Sequence, residues 1–196
     1  MSTTTVDPVE RLLDNADQGR TIIKNPNVLR HDYIPERILH RDKQQELVTQ
    51  SLIPLYKKSI PPNLLVYGKP GTGKTLVIKK VLNQIQNRVD KNSYRIKIVI
   101  TNAKEQSNLY NVLVDLGRQL GLKPKKTPDD KLWLPHTGLS ISEVFNRILY
   151  IIEKNKINSV FVIDEIDHLA KLVDKTGKDI LYSITRANLK LKNGSL

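Results

Sequence analysis

Apolar positions along the chain follow two rhythms that alternate. Residues 1–30 are polar with scattered Leu, Ile and Val and read as a lead-in arm. Tyr33-Ile34-Pro35 is expected to be extended, because Pro35 disfavours helix at Ile34. A helical rhythm then runs from about Arg41 to Tyr56 through Leu47, Val48, Leu52 and Leu55, with Pro54 bending or ending it. Pro61-Pro62 is a stop. Leu64-Leu65-Val66-Tyr67 is a short apolar run ending in Gly68, the pattern of a buried strand feeding a turn.

A second helical face (Leu76, Val77, Val81, Leu82, Ile85) predicts a helix from Lys74 to about Arg88. Ile96, Ile98 and Ile100 alternate with Lys97 and Val99 in a strand that ends at Thr101-Asn102. Leu109, Val112, Leu113, Leu116 and Leu120 form a third helical face, stopped by Gly121. A polar loop with Pro124, Pro128 and Pro135 leads to Ser140-x-x-Glu143, a capping box that opens a helix to about Lys154. Val160-Phe161-Val162-Ile163 is apolar without interruption, as in a strand buried on both faces, and a last helix is expected from about Lys178 to Leu191. Strands alternating with helices predict βαβ units and a parallel sheet with helices on both faces, an α/β fold.

Composition narrows the class. With no Cys among 196 residues there is no disulfide framework, no thiolate chemistry and no Cys-ligated zinc. No apolar run approaches the roughly 20 residues that span a bilayer, and the N-terminus lacks the pattern of a secretory signal. A cytoplasmic protein with no membrane partner is the expectation. The net charge of +12 is uneven: residues 1–61 hold nine Lys or Arg and eight Asp or Glu, so the remaining 23 basic and 12 acidic residues put +11 on residues 62–196. Such a balance suits either a polyanionic partner, nucleic acid first, or a solvated basic face. Lys123, Lys125, Lys126 and Lys131 are the densest cluster, diluted by Asp129 and Asp130.

Gly68-Lys69-Pro70-Gly71-Thr72-Gly73-Lys74-Thr75 fits the phosphate-loop pattern G-x-x-x-x-G-K-[ST]. A phosphate chain needs backbone N–H groups aimed inward with no Cβ in the way, and it gains from the positive end of the helix that starts near Lys74. Lys74 would supply a mobile charge for the β and γ oxygens, Thr75 a hydroxyl for Mg²⁺, and Leu76 closes the loop. Asp164, at the carboxyl end of the third predicted strand, sits where α/β sheets bind ligands and would orient the metal; Glu165 would act as general base on an attacking water. His31, His40, His136 and His168 lack metal-like spacing, and Asp167 reads as a cap rather than a ligand. Trp133 reads as a core residue or as an exposed anchor for DNA or a partner.

Five pieces occur in one order: Asp32-Tyr-Ile-Pro-Glu-Arg-Ile-Leu-His-Arg41-Asp42, the phosphate loop, Thr137-Gly-Leu-Ser140, Asp164-Glu-Ile-Asp167 and Leu181-Tyr-Ser-Ile-Thr-Arg186-Ala-Asn188. Together they resemble the AAA+ ATPase domain of archaeal origin-recognition initiators, the Orc/Cdc-type replication proteins, over about residues 22–192. The resemblance implies a P-loop NTPase with ATP or ADP and Mg²⁺ as cofactors. It implies an initiator that binds duplex DNA at origins and helps load the replicative helicase, with ATP as a switch. Homo- or hetero-oligomers with other initiator subunits and a nucleoid association follow from the same likeness. It places Ile34 and Pro35 against the adenine, and likens residues 125–154 to an insertion that touches the minor groove, where basic side chains contact phosphates.

In this family the chain runs on through two more strands, a lid and a winged-helix domain, which carry the sensor, the arginine finger and the lid arginine. Residues 31–196 are therefore expected to be an incomplete AAA+ domain, truncated before strand four, with the lid and winged helix absent. Strand four lies between the phosphate-loop strand and the Asp-Glu strand. Its absence would leave two rows of backbone groups unpaired at about 1–3 kcal/mol each, and so predicts a chain that folds poorly alone or pairs with another. ATP hydrolysis is expected of the full-length protein and should be very slow in this chain, since an arginine finger is worth about 10³–10⁵ in rate. Two other readings stand beside this one: another AAA+ ATPase of clamp-loader or transposition-helper type, and a non-catalytic nucleotide-binding paralogue.

Overall fold

A computed structural model describes residues 7–19, 23, 25–30, 33–57, 59–92, 94–126, 129–172, 182, 184–191 and 195–196. The chain divides into two compact units, Met1–Ile38 and Leu39–Leu196. In the first, helix α1 (Pro8–Asp17) starts at Asp7, whose side chain accepts from the Val9 N–H at 2.8 Å, with Pro8 at its first position. Its Val9, Leu12 and Leu13 are all exposed. A 3₁₀ turn (Pro26–Leu29) follows, and Ile34 and Pro35 lie half-buried outside any helix or strand.

The second unit contains α2 (Asp42–Leu52), α3 (Lys74–Asn92), β1 (Ile96–Asn102), α4 (Ala103–Gln106), α5 (Leu109–Leu120), α6 (Ile141–Asn155), β2 (Asn158–Asp164) and α7 (Ile166–Leu172). Helix α2 gives way at Pro54 to a 3₁₀ turn, Ile53–Lys57, where the missing proline N–H breaks the ladder. Helix α5 ends at Gly121, whose φ of 115° is open to glycine alone at no cost. The predicted capping box holds at its serine: Ser140 Oγ accepts from the Glu143 N–H at 3.1 Å. Of the helix expected over 178–191, residues 178–181 and 183 lie outside the described residues. The described part includes a 3₁₀ turn, Ala187–Leu189.

Strands β1 and β2 pair in parallel, from Ile96 opposite Asn158 to Asn102 opposite Asp164. One face packs on α5 and α6 through a core that includes Val99, Leu113, Leu116, Phe145, Ile148 and Ile152; the other packs on α2 and α3 through Val48, Leu52, Val81, Leu82 and Ile85. Helices thus cover both faces, as the alternation of elements predicts. On the outer edge of β1, the Gln119 side-chain amide substitutes for a neighbouring strand: its oxygen accepts from the Ile100 N–H at 3.0 Å and its NH₂ donates to the Ile100 carbonyl at 2.8 Å. Asp115 holds that amide in place at 3.0 Å.

Two expectations for the sheet change. Leu64–Tyr67 forms no strand; Leu65 is 74% exposed and Tyr67 87%. Val160–Ile163 does form β2 but is half-buried rather than fully buried. Both follow from one cause. A strand needs a partner ladder, and among the described residues only Ser195 pairs on the free side of β2, accepting from the Ser159 N–H at 2.7 Å and donating to the Ile157 carbonyl at 3.3 Å. Beyond that bridge, Phe161 and Ile163 turn their backbone groups to the same open side. Leu65→Lys is therefore expected to change the unfolding free energy by no more than about 0.5 kcal/mol, the usual range at a surface site. A loss of several kcal/mol in urea denaturation would place Leu65 in a packed sheet instead.

Candidate nucleotide site

The loop from Gly68 to Thr75 joins that exposed segment to the N-terminus of α3. Gly68, Gly71 and Gly73 have φ of 151°, 73° and 81°, and a Cβ on Gly71 or Gly73 would meet nothing within 4 Å. Backbone conformation, not crowding, is thus what demands glycine there, and it leaves the inner side of the loop open. Thr72 Oγ1 ties the loop across to the Lys69 carbonyl at 2.8 Å, and the Val77 N–H donates to the Gly73 carbonyl at 3.0 Å as α3 begins. Lys74 Nζ lies folded back on the Gly68 and Lys69 carbonyls, at 2.9 and 3.0 Å.

The second half of the site comes from the end of β2. Asp164 is the last residue of β2, and its Oδ2 accepts from Thr75 Oγ1 at 2.9 Å. Its Oδ1 accepts from the Glu165 N–H at 3.0 Å. Glu165 has a φ of 53°, a left-handed conformation uncommon for a residue with a side chain and concentrated at functional sites. Its side chain is exposed, as is that of Asp167 on the first turn of α7. Asn102, ending β1, stands beside Asp164 in register and caps α4 through Oδ1, which accepts from the Lys104 and Glu105 N–H groups.

The donor set fits a phosphate chain with a hard cation. Anions suit a glycine-rich loop opening a 19-residue helix with a lysine at its start. Mg²⁺ takes oxygen ligands and keeps part of its water shell, which matches one hydroxyl and one carboxylate already in contact. No group of three or more His, Cys, Asp or Glu among the described residues could hold a metal ion, so the metal candidates are Thr75 and Asp164. Leu76 is half-buried behind the loop. Ile34 and Pro35 belong to the first unit and the loop to the second.

Arg41, read from the sequence only as the end of the segment Tyr33–Arg41, also reaches the loop. Its guanidinium donates to the Thr72 carbonyl at 3.1 Å and to the His40 carbonyl at 3.2 Å. No local signal announces a contact across 31 positions.

The basic region lies elsewhere on the second unit. Lys123 pairs through its backbone with Leu132 and Leu134, closing a loop from which Lys123, Lys125, Lys126 and Lys131 are exposed. Of the two acids that dilute this cluster in sequence, Asp129 is engaged locally: its Oδ2 accepts from Lys154 at 2.6 Å and from the Tyr150 hydroxyl at 2.9 Å. Those bonds, from Lys154 first and then Tyr150, hold the Asp129 carboxyl below its ordinary range and in turn raise Lys154. Trp133 is half-buried, donates to the Pro124 carbonyl at 3.1 Å and lies under the Arg147 guanidinium at 5.7 Å. Arg147 also donates to Glu143 at 2.8 Å and to the carbonyls of Asp130 and Trp133. Trp133 therefore anchors the loop onto α6 rather than standing free.

Residues 60–194 match the AAA domain family. The chain is 56% identical over 190 residues to the ORC1-type DNA replication protein of Cenarchaeum symbiosum, covering 97% of this chain and 45% of that protein. It is 32% identical over 188 residues to the ORC1-type DNA replication protein of Pyrococcus abyssi, covering 96% and 43%. Among solved structures it resembles the Aeropyrum pernix ORC1 protein in complex with DNA, with a TM-score of 0.76 and 32% identity over 88% of this chain and 42% of that one. The fold also matches Cdc6p of Pyrobaculum aerophilum, with a TM-score of 0.69 at 22% identity, over 90% and 42%. The chain thus spans a little under half the length of these relatives.

Proposed function

Since the chain belongs to the AAA domain family, and within it resembles the archaeal ORC1-type replication proteins, we propose that it is the nucleotide-binding part of an ATP-switched replication initiator. Residues 31–196 form the nucleotide-binding domain and residues 1–30 an arm. ATP or ADP enters with Mg²⁺, and Gly68–Leu76 embraces the phosphates. The observation that carries this reading is the contact between Thr75 Oγ1 and Asp164 Oδ2 at 2.9 Å, which joins the phosphate loop to the acid-ended strand.

Bound Mg²⁺ would supply charge neutralisation between the terminal phosphates. The chain's own residues do the rest. Lys74 would exchange the Gly68 and Lys69 carbonyls for phosphate oxygens, Thr75 and Asp164 would hold the metal, and Glu165 would take the proton of an attacking water. The test is equilibrium titration of the 196-residue chain with Mg-ATP. Saturable one-to-one binding supports the reading, and absence of binding by a folded chain overturns it.

The same reading makes duplex DNA the partner of the exposed lysines on the loop between α5 and α6, with the replicative helicase and further initiator subunits as protein partners. Phosphate contacts release counterions, so each one steepens the salt dependence of binding. Replacing Lys123, Lys125 and Lys126 together by Ala is expected to reduce the slope of log K against log salt by up to about 3, roughly 0.9 per lost phosphate contact on a duplex oligonucleotide. An unchanged slope would move the DNA contact off this loop.

A further inference from the structure

The phosphate loop has a support on its outer side that its own motif does not include. Arg41 is the residue before α2, preceded by His40 in a left-handed conformation with φ of 57°. That backbone turn lets the guanidinium bridge two carbonyls 32 positions apart, those of His40 and Thr72. The Thr72 carbonyl and the Gly73 N–H belong to one planar peptide unit, and no described peptide bond is cis. In a trans peptide those two groups point in opposite directions, so a carbonyl held outward by Arg41 turns the Gly73 N–H inward, toward the open side of the loop. On its C-terminal side this peptide turns about the φ of Gly73, 81°, where the missing Cβ leaves rotation little restrained unless something holds the carbonyl.

We propose that Arg41 is a positioning residue of the nucleotide site, which locks the Thr72–Gly73 peptide so that the Gly73 N–H faces the phosphate chain. The proposal rests on the nucleotide-binding reading above. Because the peptide is oriented before ligand arrives, Arg41 favours any nucleotide that carries the phosphates common to ATP and ADP. A long-range attraction for negative charge would instead favour ATP over ADP. The two carbonyls are met by two different guanidinium nitrogens, Nη1 on His40 at 3.2 Å and Nη2 on Thr72 at 3.1 Å, a spread that the single nitrogen of a lysine does not reproduce.

The experiment titrates the 196-residue chain and its Arg41→Ala and Arg41→Lys variants with Mg-ATP and Mg-ADP, and records a thermal melt of each. Arg41→Ala is expected to bind both nucleotides about ten-fold more weakly, the loss of one charge-assisted hydrogen bond, with a melting midpoint within about 2 °C of the parent. Arg41→Lys is expected to remain weak. Parent-like affinity in Arg41→Ala, full recovery in Arg41→Lys, or weakening confined to ATP would each overturn the assignment. A midpoint lowered in step with affinity would also overturn it, by making Arg41 a folding residue. Failure of the parent chain to bind either nucleotide sinks the underlying reading instead, which keeps the two failures apart.

Discussion

Lys74→Ala raises the dissociation constant for Mg-ATP at least about 100-fold, which corresponds to about 2.7 kcal/mol. An ammonium about 4 Å from a phosphate oxygen interacts by about 4 kcal/mol at the effective dielectric of a partly sheltered site. Part of that gain is offset when Nζ leaves the Gly68 and Lys69 carbonyls at 2.9 and 3.0 Å. Those carbonyls are exposed and rehydrate, so the offset is small. Arg41 does not replace the charge, because its guanidinium is engaged with the Thr72 carbonyl. The loop itself should keep its shape, since its positive-φ glycines and the Thr72–Lys69 bond do not involve the lysine side chain beyond Cβ. Calorimetric titration of parent and variant gives the comparison, and parent-like affinity in the variant would remove the loop from nucleotide binding.

The largest effect on stability is expected at Phe145. It is 2% exposed and lies in the core between α5, α6 and the sheet, beside Leu113, Leu116, Ile148 and Ile152. Phe145→Ala is expected to cost about 3–5 kcal/mol, the transfer term plus the cavity left by a ring whose neighbours cannot close in. Folded domains are stable by only about 5–15 kcal/mol, so the variant should be partly unfolded near physiological temperature. Urea denaturation with an unchanged slope and a lowered midpoint is the expected signature. A cost under about 1 kcal/mol would mean that α6 repacks, and that the Trp133 loop resting on it is looser than its hydrogen bonds imply.

What could be read from the sequence was encoded locally. The phosphate loop, the Ser140 cap, the stop at Gly121, and the helical faces of α3, α5 and α6 each depend on residues within a few positions of one another. Thr75 and Asp164 were each legible as a metal ligand from their own motif, while their contact at 2.9 Å belongs to the fold. What escaped depends on partners distant in sequence. Leu64–Tyr67 carries every mark of a buried strand, yet burial is a property of its neighbours, and none of the described residues pairs with it. Gln119 reads as one polar position on an amphipathic helix, and only the fold makes it a ladder for Ile100. Trp133 left two options open, which the Arg147 guanidinium and the Pro124 carbonyl decide in favour of packing. Helices α4 and α7, at four and seven residues, are too short to show a period.

The Gln119 clamp on β1 has a consequence for association. A sheet with two open edges can recruit copies of itself without limit, each newcomer offering a fresh edge to the next, which is how filaments grow. Here the outer edge of β1 is occupied at Ile100 by a side-chain amide that offers no backbone to extend. At that position a neighbouring strand finds its hydrogen-bonding groups already taken, which blunts this edge against recruitment.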